Sequence, residues 1–117
     1  MSEEWSAMET FYPILVQGYI RSVMAAKLVK IQAENKEISP VKFKLNKEYY
    51  DQLTACDVQT PLIGLKLSYD ENSSLLTVEP EAYFIEEYEN QIMRDVAVKQ
   101  TELCQVRYSK FIEPVEA

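Results

Sequence analysis

The chain reads as a small α+β domain, with long N- and C-terminal helices packed on a small antiparallel sheet that contains a β-hairpin over residues 62–78. Three observations predict it. Apolar residues recur at steps of three and four near both ends of the chain, which is helical spacing. Between them, residues 41–45, 62–69 and 75–78 alternate apolar with polar side chains, the period of a half-buried strand. And 117 residues, 47% of them hydrophobic, supply one modest core. Residues 1–117 are therefore expected to form a single domain, with 1–7 and 112–117 frayed.

Trp5, Met8, Tyr12, Leu15, Tyr19 and Val23 follow helical steps. Proline suits a first turn and disrupts an interior, so the main helix is expected to begin at Pro13 after a short N-terminal turn. From Ile14 to Ala26 the apolar face is wide, which predicts burial on more than one side, centrally or in an oligomer. Residues 27–33 fit either a helix end or a strand; continuation of the helix to about Asn35 is preferred.

Pro40 suits the start of a strand, and Val41-Lys42-Phe43-Lys44-Leu45 alternates strictly. Asn46 then fits the N-cap of a short helix over 47–54 that turns Tyr50, Leu53 and Tyr49 inward. Residues 57–61 read as a loop. Ile63, Leu65, Leu67 and Tyr69 share one side of the next strand, Asp70 to Ser74 is a turn cluster, and 75–78 returns as the second arm of the hairpin. Pro80, between Glu79 and Glu81, is expected at the first position of the last helix. Phe84, Tyr88, Ile92, Val96, Lys99, Leu103 and Val106 make its inward face to about Tyr108, with Lys99 as the flaw. Such a helix would span roughly 40 Å and must project or pair. With the wide face of the first helix, this predicts a homodimer.

Composition removes much chemistry. The chain has no histidine, so Ser-His-Asp and Cys-His arrangements are impossible. Cys56 and Cys104 stand alone and cannot make a zinc site; they are expected as buried thiols of a cytoplasmic protein, although spacing alone does not decide whether they pair. With only two glycines, Gly18 and Gly64, no phosphate-cradling loop is present. Asp70-Glu71-Asn72 offers oxygens but lacks the pattern of a calcium loop and reads as a solvated hairpin tip. No cofactor and no metal are expected. No apolar run is long enough for a membrane span, and no secretory signal opens the chain.

What remains is recognition. Charge is sorted into blocks: seven Lys or Arg against two acids over residues 21–47, and seven acids with no base over 70–90. The net charge of −7 opposes direct binding to nucleic acid. Tyr83 and Tyr88 lie among Glu81, Glu86, Glu87 and Glu89, and an aromatic on an acidic helix surface is a docking patch for a basic protein. Its bland alternative is a solvated face that complements the helix dipole. Lys42 and Lys44 form a basic patch beside Phe43, read either as protection of an edge strand or as a surface that meets the acidic helix of another copy. The expected function is a non-catalytic acidic protein-binding module of the inhibitor, immunity or anti-defence, or adaptor kind. The alternatives are a self-assembling structural subunit, and a small-ligand binder or enzyme built on carboxylates and tyrosines.

Overall fold

The computed structural model describes residues 11–33, 40–108 and 111–115. In chain order they form α1 (Pro13–Ala33), β1 (Val41–Leu45), α2 (Lys47–Ala55), a 3-10 turn (Thr60–Leu62), β2 (Leu65–Asp70), β3 (Leu75–Pro80), α3 (Ala82–Glu87), α4 (Gln91–Tyr108) and β4 (Ile112–Val115). The α+β architecture is the expected one. The sheet is antiparallel with strand order β2-β3-β1-β4.

The period of two sorts the sheet into a dry and a wet face. Val41, Phe43, Leu45, Leu65, Leu76, Val78 and Ile112 are buried, while Lys42, Lys44, Lys66, Ser68, Asp70, Glu79 and Glu113 are exposed. The registers agree, since Phe43 lies opposite Leu76 on one side and Pro114 on the other. Helix α1 joins the dry face to make the core, contributing Val16, Tyr19, Ile20, Val23, Met24 and Leu28. Each fully buried aliphatic side chain of this kind contributes about 1.5–3 kcal/mol. The helix begins at Pro13, where the Tyr12 carbonyl accepts from the Leu15 and Val16 amides at 3.1 Å. Residues 27–33 are helix, resolving the alternatives the sequence left open. The expected extension to Asn35 and the fraying of 1–7 fall outside the described residues.

Four expectations need correction. The first hairpin strand starts at Leu65 rather than at 62, because Pro61 sits in the 3-10 turn and Gly64 takes φ +83°. A Cβ at Gly64 would also lie 3.1 Å from Cβ of Phe84, so α3 rests directly on this turn. Pro80 ends β3 opposite Leu65 instead of opening a helix. Pairing of β3 with β1 has already stopped at Val78, so the missing N–H of Pro80 breaks no bond on that side. Residues 112–115 are a strand, not a frayed tail, held by β1 through pairs such as Leu45–Ile112.

The last helix is not continuous. It breaks at Tyr88-Glu89-Asn90, and Asn90 caps the second piece, its Oδ1 accepting from the Ile92 amide at 2.8 Å and the Met93 amide at 3.4 Å. The break re-aims everything after it. Phe84 and Tyr88 are buried as expected, but the face continuing through Ile92, Val96 and Leu103 points outward. The stripe that packs against α1 is Arg94, Ala97, Thr101, Cys104 and Tyr108, at the same helical steps but on the opposite side of α4.

Candidate protein-binding surface

Arg21 organises the surface on which the acidic residues lie. It sits one turn beyond the buried Gln17 on the largely apolar face of α1, and its guanidinium reaches across to two neighbouring segments. Nη1 donates to the carbonyls of Ile63 at 2.8 Å and Pro61 at 3.2 Å; Nε donates to the Tyr88 hydroxyl at 3.2 Å; Nη2 pairs with the Glu87 carboxylate. The same group stands 4.8 Å from the centre of the Phe84 ring and 5.6 Å from that of Tyr88. Arg94 holds the other end of Tyr88, donating from Nε to its carbonyl at 2.7 Å. A planar donor fork in contact with aromatic faces is a task suited to arginine and not to lysine.

This cluster divides the six acidic and aromatic residues of the expected docking patch. Glu87 is turned to Arg21, and Tyr88 is only 7% exposed; both are internal supports. Glu81, Glu86 and Glu89 are exposed and form no ion pair with the described residues. Tyr83 is 61% exposed, its ring edge resting over Gly64. What solvent meets on α3 is therefore one large aromatic between carboxylates, on a helix anchored from below. Exposed Ile63 lies on the same turn as Gly64.

The basic patch is placed differently from its expected setting. Lys42 and Lys44 are exposed on the wet face of the sheet, but β1 lies between β3 and β4, so they protect no edge. Lys42 stands opposite Thr77 and Val115, and Lys44 opposite Leu75 and Glu113; Lys66 stands opposite Glu79. The face carries both signs. A hollow of about 310 Å³ on it is lined by Lys66, Leu67, Ser68, Thr77 and Glu79.

The two charge blocks meet within one chain. Arg21 from the basic block pairs with Glu87 from the acidic one, and Lys47 reaches Glu71 at 3.5 Å as well as Asp51 at 3.1 Å. Asp51 first, and then Glu71, hold the Lys47 ammonium above the ordinary lysine range. At the hairpin tip, Asp70 is used locally, its carboxylate accepting from the Asn72 amide and the Ser73 hydroxyl at 2.9 Å each. Among the described residues, no three His, Cys, Asp or Glu side chains gather as metal ligands would. Cys56 and Cys104 are free, half-buried thiols, less buried than expected.

Among the described residues, two buried side-chain polar atoms lack partners: Oε1 of Gln17, whose Nε2 donates to the Leu53 carbonyl at 3.1 Å, and the hydroxyl of Tyr19. Burial, then the nearby Cys104 and Glu113, push the Tyr19 phenol up to about 12.

Arg21 is the residue that sequence reasoning missed. It was counted with the basic block, yet its place between Ile20 and Val23 in a wide apolar face carried a signal. An arginine on a buried helix face needs an acid and carbonyls to meet it.

No described helix is long and apolar enough to cross a membrane. Comparison with known protein families, with curated proteins and with solved structures finds no match to this chain.

Proposed function

We propose that this chain is a non-catalytic, cytoplasmic protein-binding module, of the inhibitor, immunity or anti-defence, or adaptor kind. It docks a basic surface of a partner protein through α3. Tyr83 supplies the contact area, and Glu81, Glu86 and Glu89 steer the encounter and border the contact. Glu87 and Tyr88 serve from beneath, through Arg21. The observation that carries this reading is a large aromatic, mostly exposed, ringed by carboxylates that the described residues leave unpaired. Lack of histidine supports a non-catalytic role.

The test is retention of a partner from the host's lysate by the tagged chain, washed at low and at high salt. The expected result is a stoichiometric partner that is lost at high salt, lost from a Glu81→Lys, Glu86→Lys, Glu89→Lys variant, and weakened by Tyr83→Ala. A partner held equally by all of these would overturn the assignment to α3.

A second reading, a subunit that self-associates as a homodimer, is favoured by one observation: the outward apolar residues of α4. Retention of nothing but the chain itself would move the weight there.

A further inference from the structure

We propose that the outer stripe of α4 is a second docking surface, and that its occupant is an amphipathic helix with basic borders, belonging to a partner protein. The inference rests on the basic-partner reading and extends it from α3 to α4. Ile92 is 73% exposed, Val96 51% and Leu103 71%. They fall on one side of the helix, opposite the stripe that packs on α1. Three large aliphatic side chains aligned in this way are unusual on a solvated helix, whose outer face is ordinarily polar. Their steps of four and seven are those of a helix–helix seam, with Lys99 at the position between Val96 and Leu103. An α4 of 18 residues is long enough for about three heptad contacts.

Charge decides between the possible occupants. Asp95 and Glu102 run along one border of the stripe, and the other border carries the neutral Met93 and Gln100, with Arg107 at the next heptad position. A second copy packed antiparallel sets acidic border against acidic border. Packed parallel and in register, it sets Lys99 against Lys99. Either arrangement brings like charges together at the seam, which is costly there. Arg21 and Lys47 of the basic block are paired internally, and its exposed Lys42 and Lys44 stand on a sheet face that carries both signs and presents no helical seam to α4. A foreign helix with Lys or Arg along the facing border, apolar residues at seam spacing and one carboxylate opposite Lys99 satisfies every group. Glu89 stands in the break between α3 and α4, just before the Asn90 cap, so the exposed acids around α3 continue in sequence up to the start of this seam.

One helix laid on another buries less than the roughly 800 Å² a side of a standard interface, so the seam alone is expected to bind in the micromolar range. The probe is a synthetic helical peptide of about 18 residues with leucines at seam spacing, lysines on the facing border and one glutamate opposite Lys99. Fluorescence anisotropy with the full chain is expected to show binding that weakens more than about tenfold with Leu103→Glu or with Ile92→Glu. Both residues are largely exposed, so the variants keep the parent's circular dichroism and melting temperature. An Asp95→Lys, Glu102→Lys variant should lose the lysine-bordered peptide and gain a glutamate-bordered one, a swap that general stickiness does not produce. No binding, binding indifferent to Leu103→Glu, or sedimentation of the chain alone as a dimer that Leu103→Glu dissociates would each overturn the proposal. The α3 reading is judged separately. A natural partner lost by the α3 charge reversals but held by Leu103→Glu leaves that reading standing and removes this one.

Discussion

Helix α1 and helix α4 carry similar aliphatic residues at the same helical steps and use them in opposite directions. In α1 the large side chains, Ile20, Met24 and Leu28, fill the core, and burial wraps more than one side of the helix. In α4 small and polar side chains, Ala97, Thr101 and Cys104, face α1, while Ile92, Val96 and Leu103 face out. Periodicity reports that a helix has a face; it does not report which face meets the protein. The small residues allow α4 to lie close to α1, and a helix that has met its neighbour through alanine and threonine keeps its bulk for something else.

The sharpest way to break this contrast is to truncate the same residue type on both helices. Ile20→Ala should cost about 2–5 kcal/mol in urea unfolding, as a cavity in a close-packed core does. A loss under about 1 kcal/mol would mean that α1 is not the centre of the core. Next, Arg21→Met removes the fork and leaves Glu87 half-buried without its partner. A loss of about 2–3 kcal/mol is expected, and Arg21→Lys should restore little of it because a point charge cannot serve two carbonyls, a hydroxyl and a carboxylate at once. Full rescue by lysine would reduce the cluster to simple charge pairing. Third, Ala97→Leu places extra volume where α4 meets α1 and should cost about 1–3 kcal/mol. A neutral result would show that the contact is loose.

Alkaline titration sharpens the contrast further. Tyr19 stays neutral in the folded chain to about pH 12, whereas in the unfolded chain it ionises near 10. Between these values the unfolded state holds fewer protons, so stability is intact below the lower pKa and falls as pH rises toward the upper one. Roughly 1 kcal/mol should be lost by pH 11, and Tyr19→Phe should abolish that part of the slope. A slope unaltered in Tyr19→Phe would assign the effect elsewhere. The smallest effect is expected at the partner site of the first comparison: Ile92→Ala should change stability by no more than about 0.5 kcal/mol. A core-sized loss there would return Ile92 to the interior and remove the outward stripe.

The strands were legible in the sequence because alternation over β1 and the β2–β3 hairpin has a single physical reading, one dry face and one wet. The short α2 was legible from Asn46, and the start of α1 from Pro13. The same capping logic applied at Asn90 would have divided the last helix, and Lys99 in its supposed inward face was a second sign of the break. The apolar spacing across 84–106 overrode both. β4 was not legible, since Ile112-Glu113-Pro114-Val115 is short, contains proline and pairs only because β1 offers it an edge. Of the expected docking patch, Tyr83 and the exposed acids needed only local reading. The inward turn of Glu87 and Tyr88 depended on Arg21, some 66 residues away in the chain, and no local pattern encodes such a contact.

The strand order has a consequence for how the protein is made. β1 leaves the ribosome early, yet both of its neighbours come later, β3 from the hairpin and β4 from residues 112–115. Until those residues emerge, the nascent chain holds Phe43 and Leu45 on a strand with an open side, which is the form of sheet most prone to pair with a neighbouring chain. A stop codon or a premature cleavage ahead of Ile112 would therefore remove residues 112–117, β4 among them, and turn β1 from an interior strand into an open, sticky edge.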